Sequence, residues 1–152
     1  MTSESVIFQR AVASAAMGTR SRLGVLTPMT HSQTLELTVR YPAEAVAVLT
    51  VAGEIDADSA PVLRTRALEL IRQGRPHVVL DLASVEFCDS SGLNTMIGIL
   101  RYAKDRHGSL CLAAAPSHLA RLLDITGVAV LIPTVLTTAE ALTRVVMPGE
   151  AL

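Results

Sequence analysis

The sequence has little of several residue types, and each shortage excludes a class of protein. It has no Trp and only two Phe and two Tyr, although half of its 152 residues are hydrophobic, so its core must be aliphatic. The formal net charge is −1, with acidic and basic residues interspersed. Such a balance offers no basic patch, which argues against direct binding to nucleic acid or to an anionic membrane surface. Two cysteines give no disulfide framework and predict a reducing compartment.

Long hydrophobic runs are also missing. No apolar stretch approaches the ~18 residues that a membrane-spanning helix needs. The small residues 11–16 resemble a signal-peptidase site, but no apolar stretch of secretory length precedes them. We therefore predict a cytoplasmic protein. Its length suits one domain with a sizeable core and is too short for two ordinary domains.

The sequence lacks the usual signs of catalysis as well. It has no glycine-rich phosphate loop, no G-x-S-x-G elbow, no dinucleotide fingerprint and no His or Cys cluster at metal-ligand spacing. We predict that the protein is not an enzyme and that it holds neither a metal nor another cofactor.

What is present is a strand joined to a helix by a polar elbow. Residues 78–82 form a short, mostly β-branched run that is typical of a strand buried on both faces. The elbow is Cys88-Asp89-Ser90-Ser91-Gly92, and apolar residues recur at helical spacing after it. The elbow is therefore a helix N-terminus, where Asp89 or Ser90 supplies the capping oxygen. Taken alone, it favours an ordinary helix cap over a serine exposed to a partner. We interpret Cys88 and Cys111 as buried structural thiols.

The rest of the chain falls into alternating strands and helices. Residues 1–32 show no lasting period and are predicted to be a mobile extension, with a short helix near residues 6–17 as the weaker alternative. Met29 would serve as a start codon, so we hypothesise that residues 1–28 are absent from the native product. The domain should span residues 33–147, and residues 148–152 should fray. Predicted strands cover residues 35–41, 45–52, 77–82, 109–115 and 128–132, and predicted helices cover 59–73, 90–107, 117–126 and 138–146.

Two motifs within this order resemble the STAS domain of the anti-sigma factor antagonist family. One is the strand ending in Asp81-Leu82, followed by Phe87 and then Asp89-Ser90-Ser91-Gly92-Leu93; the other is Gly53-Glu54-Ile55-Asp56 at the end of an earlier strand. The resemblance implies an α/β fold with a mixed, mostly parallel β-sheet, the order β-β-α-β-α-β-α-β-α, and helices packed largely on one face. It also implies that the two motifs lie side by side on a partner-binding face.

The same resemblance implies a phosphoswitch. A serine-kinase anti-sigma factor would phosphorylate Ser90, with Ser91 as the alternative, and a PP2C-type phosphatase would reverse the reaction. The unphosphorylated form would bind the anti-sigma factor and release its sigma factor. The partner-binding residues would be Asp56, Asp58, Asp89, Ser90, Ser91, Gly92, Asn94 and Thr95, with Asn94 and Thr95 on the exposed side of the first helical turn.

Two alternatives stay open at this stage. Asp56 and Asp58 fit turn chemistry and helix capping as well as partner binding. The whole domain could instead be a constitutive STAS scaffold, or an accessory subunit of a signalling or lipid-transport complex.

Overall fold

The computed structural model describes residues 7–12 and 34–146, and this part of the chain forms a six-stranded sheet with five helices. The predicted α/β class is confirmed. In chain order the elements are β1 (Ile7–Val12), β2 (Thr34–Ala43), β3 (Val46–Ile55), α1 (Ala60–Arg72), β4 (His77–Cys88), α2 (Ser90–Asp105), β5 (Ser109–Ala113), α3 (Ser117–Ile125), α4 (Val128–Leu131), β6 (Thr134–Val135) and α5 (Thr138–Val146).

The strands follow one another across the sheet in sequence order. The β1–β2 and β2–β3 pairs are antiparallel, whereas the β3–β4, β4–β5 and β5–β6 pairs are parallel. The predicted hairpin is the β2–β3 pair, which turns at Ala45 with a positive φ of 66°. Strand β3 runs further than predicted, because Gly53, Glu54 and Ile55 still pair with β4. The chain leaves the sheet at Asp56, the last residue of the G-E-I-D motif.

The two faces of the sheet carry cores of different size. Alternate side chains of β3 and β4, such as Leu49 and Leu80, join the larger cluster, together with residues of α1, α2, α3 and α4. The intervening side chains, such as Val48 and Val79, join a smaller cluster with Ala141 and Val145 of α5. Period-two alternation thus divides the sheet between two layers. Four of the five described helices pack on one face, which confirms the predicted packing.

Helix α1 agrees with the predicted bounds, but one assignment on it is wrong. Leu63, Ala67 and Leu70 are buried as expected. The charges of Arg64, Arg66 and Arg72 predict that these side chains form the solvated face of the helix, yet Arg66 is only 9% exposed. Its Nη1 bonds Glu69 at 3.1 Å, while its buried Nε has no hydrogen-bond partner among the described residues. Arg66 follows Leu63 by three positions, so helical geometry turns its stem toward the core despite its charge.

Helix α2 ends at Asp105, within two residues of the predicted end; the sequence suggests that His107 complements the helix end and that Gly108 stops the helix. His107 adopts the left-handed conformation, φ 62°, that follows a helix terminus. Gly108 is required for a different reason. A Cβ on this residue would collide with the carbonyl group of Pro76 at the start of the next strand pair.

Two predictions about secondary structure are wrong. Residues 128–132 were predicted as an edge strand, but α4 covers Val128–Leu131, and the strand, β6, begins only after Pro133. A helical turn buries Val128 and Ile132 against the larger core. A short apolar run fits a buried helical turn as well as it fits a strand. Within the predicted extension, Ile7–Val12 is a strand paired with the outer edge of β2, and not a helix. This pairing satisfies backbone groups that β2 would otherwise present unpaired. The remainder of residues 1–32 and residues 147–152 lie outside the described residues.

Candidate functional site

The elbow is the N-terminus of α2, as predicted, and Asp89 is its cap. Asp89 has extended backbone geometry, and its carboxylate accepts hydrogen bonds from the backbone N–H of Ser91 at 2.8 Å and of Gly92 at 3.4 Å. Its backbone oxygen accepts from Gly92 and Leu93. Of the two capping residues that the sequence left open, the structure selects Asp89. The carboxylate therefore occupies the N–H groups that an incoming anion would otherwise seek.

The two serines of the elbow differ in accessibility. Ser90, the first residue of α2, is exposed, and its hydroxyl makes no hydrogen bond to any described residue. Ser91 is half-buried, and its backbone N–H is held by Asp89. A hydroxyl that points into solvent without a local partner is available to an approaching enzyme. Accessibility thus favours Ser90 over Ser91 as a site of modification.

The rest of the first turn faces partly inward. Asn94 is exposed as predicted, but Thr95 is only 9% exposed, so its predicted place on the exposed side is wrong. Thr95 lies three residues after Gly92 and four before Ile99, both of which are buried, and it therefore shares their face of the helix. Gly92 packs so closely that a Cβ would lie 2.8 Å from the Cγ2 atom of Ile55. Neither Gly92 nor Thr95 offers a side chain to a partner.

The second motif ends in a hydrogen-bonded turn. The Asp56 carboxylate accepts from the backbone N–H of Asp58 and of Ser59, each at 3.0 Å. The Ser59 hydroxyl donates to the Glu54 carbonyl at 2.7 Å and accepts from the Asp56 N–H at 2.9 Å. Asp56 therefore has the turn role that the sequence left as an alternative, while the N-cap position of α1 is Ser59, which makes no side-chain capping bond. Asp58 is exposed, and its side chain is directed by none of these bonds.

The two motifs meet at one end of the sheet. Ile55 and Cys88 are register partners, and the Asp89 N–H donates to the Ile55 carbonyl at 3.1 Å. The predicted adjacency of the G-E-I-D and D-S-S-G segments is confirmed. Because both segments follow the carboxyl ends of parallel strands, they form one surface at the edge where α/β proteins commonly place their sites.

Sequence reasoning missed two residues of this surface. Ser59 is 2% exposed and makes the central hydrogen bonds of the Asp56 turn. Phe87, the residue immediately before the elbow, is 47% exposed and lies in register with Glu54. Simple alternation along β4 would have placed Phe87 on the same face as buried Val85; the register shift between Gly53 and Glu54 breaks that alternation and leaves Phe87 exposed, so the sequence pattern alone gave no signal for it.

Cys88 beside the elbow is not an activated thiol. Burial, and to a smaller extent the adjacent Asp89 carboxylate, raises the pKa of Cys88 to about 12. A helix N-terminus acidifies a thiol that faces it in water, but here desolvation of the thiolate dominates. The interpretation of Cys88 as a structural thiol fits this environment.

The described residues contain no group of three or more His, Cys, Asp or Glu side chains that could hold a metal ion. Within the same ranges, no helix has the length and apolarity required to cross a bilayer. What the elbow offers chemically is a solvent-facing hydroxyl, next to carboxylates, on a rigid helix start.

Comparison with known proteins identifies the family. The family model described as "Mlab, STAS domain" matches residues 40–136. The anti-sigma-B factor antagonist of Bacillus subtilis (strain 168) is 43% identical over 77 residues, which cover 51% of this chain and 70% of that protein. The chain belongs to the STAS-domain family of anti-sigma factor antagonists. A Listeria monocytogenes protein of the same description is 40% identical over 79 residues, covering 51% of this chain and 68% of that protein.

Solved structures of STAS-domain proteins have the same fold. An anti-sigma factor antagonist from Mycobacterium paratuberculosis aligns with a TM-score of 0.66 and 29% identity, covering 73% of this chain and 93% of that one. The Bacillus cell fate determinant SpoIIAA in its phosphorylated form aligns with a TM-score of 0.58 and 20% identity, covering 72% of this chain and 98% of that one. These alignments confirm the STAS fold that the two motifs implied.

Proposed function

We propose that this protein is an anti-sigma factor antagonist that acts by partner switching, with Ser90 as the phosphorylated residue. The observation that carries the proposal is the exposed Ser90 hydroxyl, which has no hydrogen bond to a described residue, at the start of α2. Relatives are named as antagonists of anti-sigma factors, and a structural neighbour is described in a phosphorylated form. The expected partners are an anti-sigma factor that is a serine kinase and a PP2C-type phosphatase.

The surface for the kinase centres on the exposed residues of the two motifs. Asp58, Phe87, Ser90 and Asn94 all present side chains to solvent at this end of the sheet. Asp89, Ser91 and Asp56 shape that surface through backbone hydrogen bonds, and Gly92 and Thr95 support it from beneath. Aromatic side chains at interface centres often dominate binding free energy, so Phe87 joins the partner-binding residues in this proposal.

Phosphorylation should act on the complex and leave the fold intact. A phosphate adds about −1.5 to −2 charges at neutral pH. In the free protein Ser90 faces water, where the helix dipole favours the phosphate and Asp89 opposes it. In the complex the phosphate would lose water beside Asp89 and the Asp56 turn, and would meet both desolvation and like-charge repulsion. A penalty of ~3 to 5 kcal/mol weakens binding by over a hundredfold.

The test combines modification mapping with binding. Protein isolated from its own cells is analysed by phosphopeptide mass spectrometry, with fragmentation that separates Ser90 from Ser91. We expect phosphate on Ser90 at an occupancy that changes with growth or stress. Ser90→Asp should lose the kinase and keep its melting temperature, while Ser91→Asp serves as the matched control for charge in the same turn.

The alternative function predicts the opposite result for binding by Ser90→Asp. A constitutive scaffold or accessory subunit would bind its partner equally well as wild type and as Ser90→Asp, and its elbow would carry no phosphate in any condition. A Ser90→Asp variant that melts at a much lower temperature would instead contradict the exclusion mechanism, because the charge would then act on the fold.

A further inference from the structure

A small cavity lies at the other end of the sheet from the elbow. Its volume is about 180 Å³, and its described lining includes the first residues of two strands, His77 of β4 and Ser109 of β5. Strand β4 has 12 residues, so roughly 36 Å of strand separates this cavity from the elbow. The cavity is therefore independent of the proposed phosphoswitch surface.

One wall of the cavity is apolar. Cys111 and Val145 belong to the smaller core cluster between the sheet and α5, and Pro133 adds a third apolar side chain. A dry cavity of ~150 Å³ lined by such groups is large enough to bind benzene. The cavity thus has room for an apolar group of about the size of one ring.

Polar groups converge on the same space. His77 Nδ1 and the Ser109 hydroxyl lie 2.9 Å apart, and neither His77 Nε2 nor the Arg144 guanidinium has a partner among the described residues. Burial lowers the pKa of His77, so its ring is neutral at pH 7. When Ser109 donates to Nδ1, the proton of the neutral ring is on Nε2, which can donate to an anion.

The charge around the cavity favours a single negative charge. Arg144, in the last turn of α5, is exposed and lines the cavity, and Glu140 lies one turn earlier on that helix. Burial raises the pKa of the Cys111 thiol, Arg144 lowers it, and Glu140 raises it to a smaller extent. Arg144 is the only side chain with a full charge among the described lining residues, and one carboxylate would balance it.

We propose that this cavity binds a small organic monocarboxylate. Its apolar body packs on Cys111, Val145 and Pro133, and its carboxylate pairs with Arg144 and accepts a hydrogen bond from His77. Because the ligand would bridge β4, β5 and α5, it would stabilise the docking of α5 on the sheet by binding only the folded chain. The proposal rests on no part of the partner-switching function.

The test uses three probes of one shape on the full chain. Benzoate, benzyl alcohol and benzylamine carry a negative, a neutral and a positive group on the same ring. The His77 ring signals are followed by NMR during each titration, after assignment through their loss in His77→Gln. We expect saturable binding of benzoate, at least about tenfold weaker binding of benzyl alcohol, and no binding of benzylamine, because a charge-assisted pair supplies that margin.

Two variants assign the recognition to Arg144. Arg144→Gln should weaken benzoate at least about tenfold without changing the melting temperature of the free protein, because the side chain is exposed. Arg121→Gln, an exposed arginine on α3 that is not among the lining residues, is the matched control and should bind benzoate as wild type does. Equal binding of benzoate and benzyl alcohol, unchanged affinity in Arg144→Gln, or the absence of saturation would each overturn the proposal.

Discussion

The two turns at the elbow end of the sheet use the same residue types, but the serine is buried in one turn and exposed in the other. In each, a strand ends, an aspartate carboxylate accepts backbone N–H groups of the residues that follow, and a serine lies close by; Asp89 thereby caps α2, whereas Asp56 holds the turn that precedes α1. Ser59 is buried and bonded to Glu54 and Asp56, whereas Ser90 is exposed and bonded to no described residue. An aspartate beside a serine at the end of a strand therefore does not by itself identify a functional serine. What distinguishes Ser90 is that Asp89 satisfies the helix end without it.

The largest expected effect comes from the contact between the two turns. In Gly92→Ala the new Cβ would lie 2.5 Å from Cys88 Sγ and 2.8 Å from Ile55 Cγ2, so the turns must move apart. We expect a loss of about 3 kcal/mol in the free energy of unfolding, measured by urea denaturation followed by circular dichroism. Gly98→Ala is the control, since its nearest neighbour would be Arg64 Nε at 3.7 Å. Equal stabilities of the two variants would show that the turns are not closely packed.

The paired serine substitutions test the comparison directly. Ser59→Ala removes a buried hydroxyl together with its hydrogen bonds to the Glu54 carbonyl and the Asp56 N–H, which should cost about 2 kcal/mol of unfolding free energy. Ser90→Ala should change it by less than about 0.5 kcal/mol, because no described contact is lost. Both values come from the same denaturation experiment. A cost at Ser90 as large as that at Ser59 would contradict the description of Ser90 as a free hydroxyl.

A smaller effect is expected from the cap of α2. Asp89→Ala removes the acceptor for the Ser91 and Gly92 N–H groups and should cost about 1 kcal/mol. Asp58→Ala, at an exposed carboxylate, should be nearly neutral and serves as the control for the lost charge. If Asp89→Ala proved neutral too, water or Ser90 would have to replace the cap.

The last effect is absent at neutral pH and appears only at alkaline pH. The pKa of the Cys88 thiol is raised from 9.0 to about 12 in the folded chain, so above pH 9 the unfolded chain loses this proton first. The folded state then binds more protons, and stability falls as pH rises from about 9 towards 12. We expect this decline to be shallower in Cys88→Ala than in wild type, as followed by thermal melting across that range. Fast alkylation of Cys88 by iodoacetamide at pH 8 would argue against the raised pKa.

The parts of the fold that follow local rules were predictable from sequence. Helix α2 and its cap follow from the elbow and the apolar spacing after it, and α1 follows from its stripe and Gly74. The adjacency of the two motifs came from family resemblance, since they are separated in sequence and meet only through the parallel pairing of β3 with β4.

The errors arose where a local pattern has two structural solutions. The apolar residues 128–132 fit a strand or a helical turn equally well by their pattern; in the structure Gly127, φ 86°, is followed directly by the helical turn. Arg66 and Thr95 lie at helical positions that face inward, but their polarity suggested solvent. The strand at Ile7–Val12 depends on an open edge of β2, a partner that its own sequence does not reveal.

The Asp89 cap bears on how long phosphorylation of Ser90 would persist. Since its carboxylate already holds the Ser91 and Gly92 N–H groups, a phosphate on Ser90 would gain no hydrogen bond from these two donors. The modified and unmodified molecules should then differ little in folding stability. The lifetime of the phosphate would then be set by the kinase and the phosphatase, and the phosphorylated fraction of the protein would report the relative activities of these two enzymes.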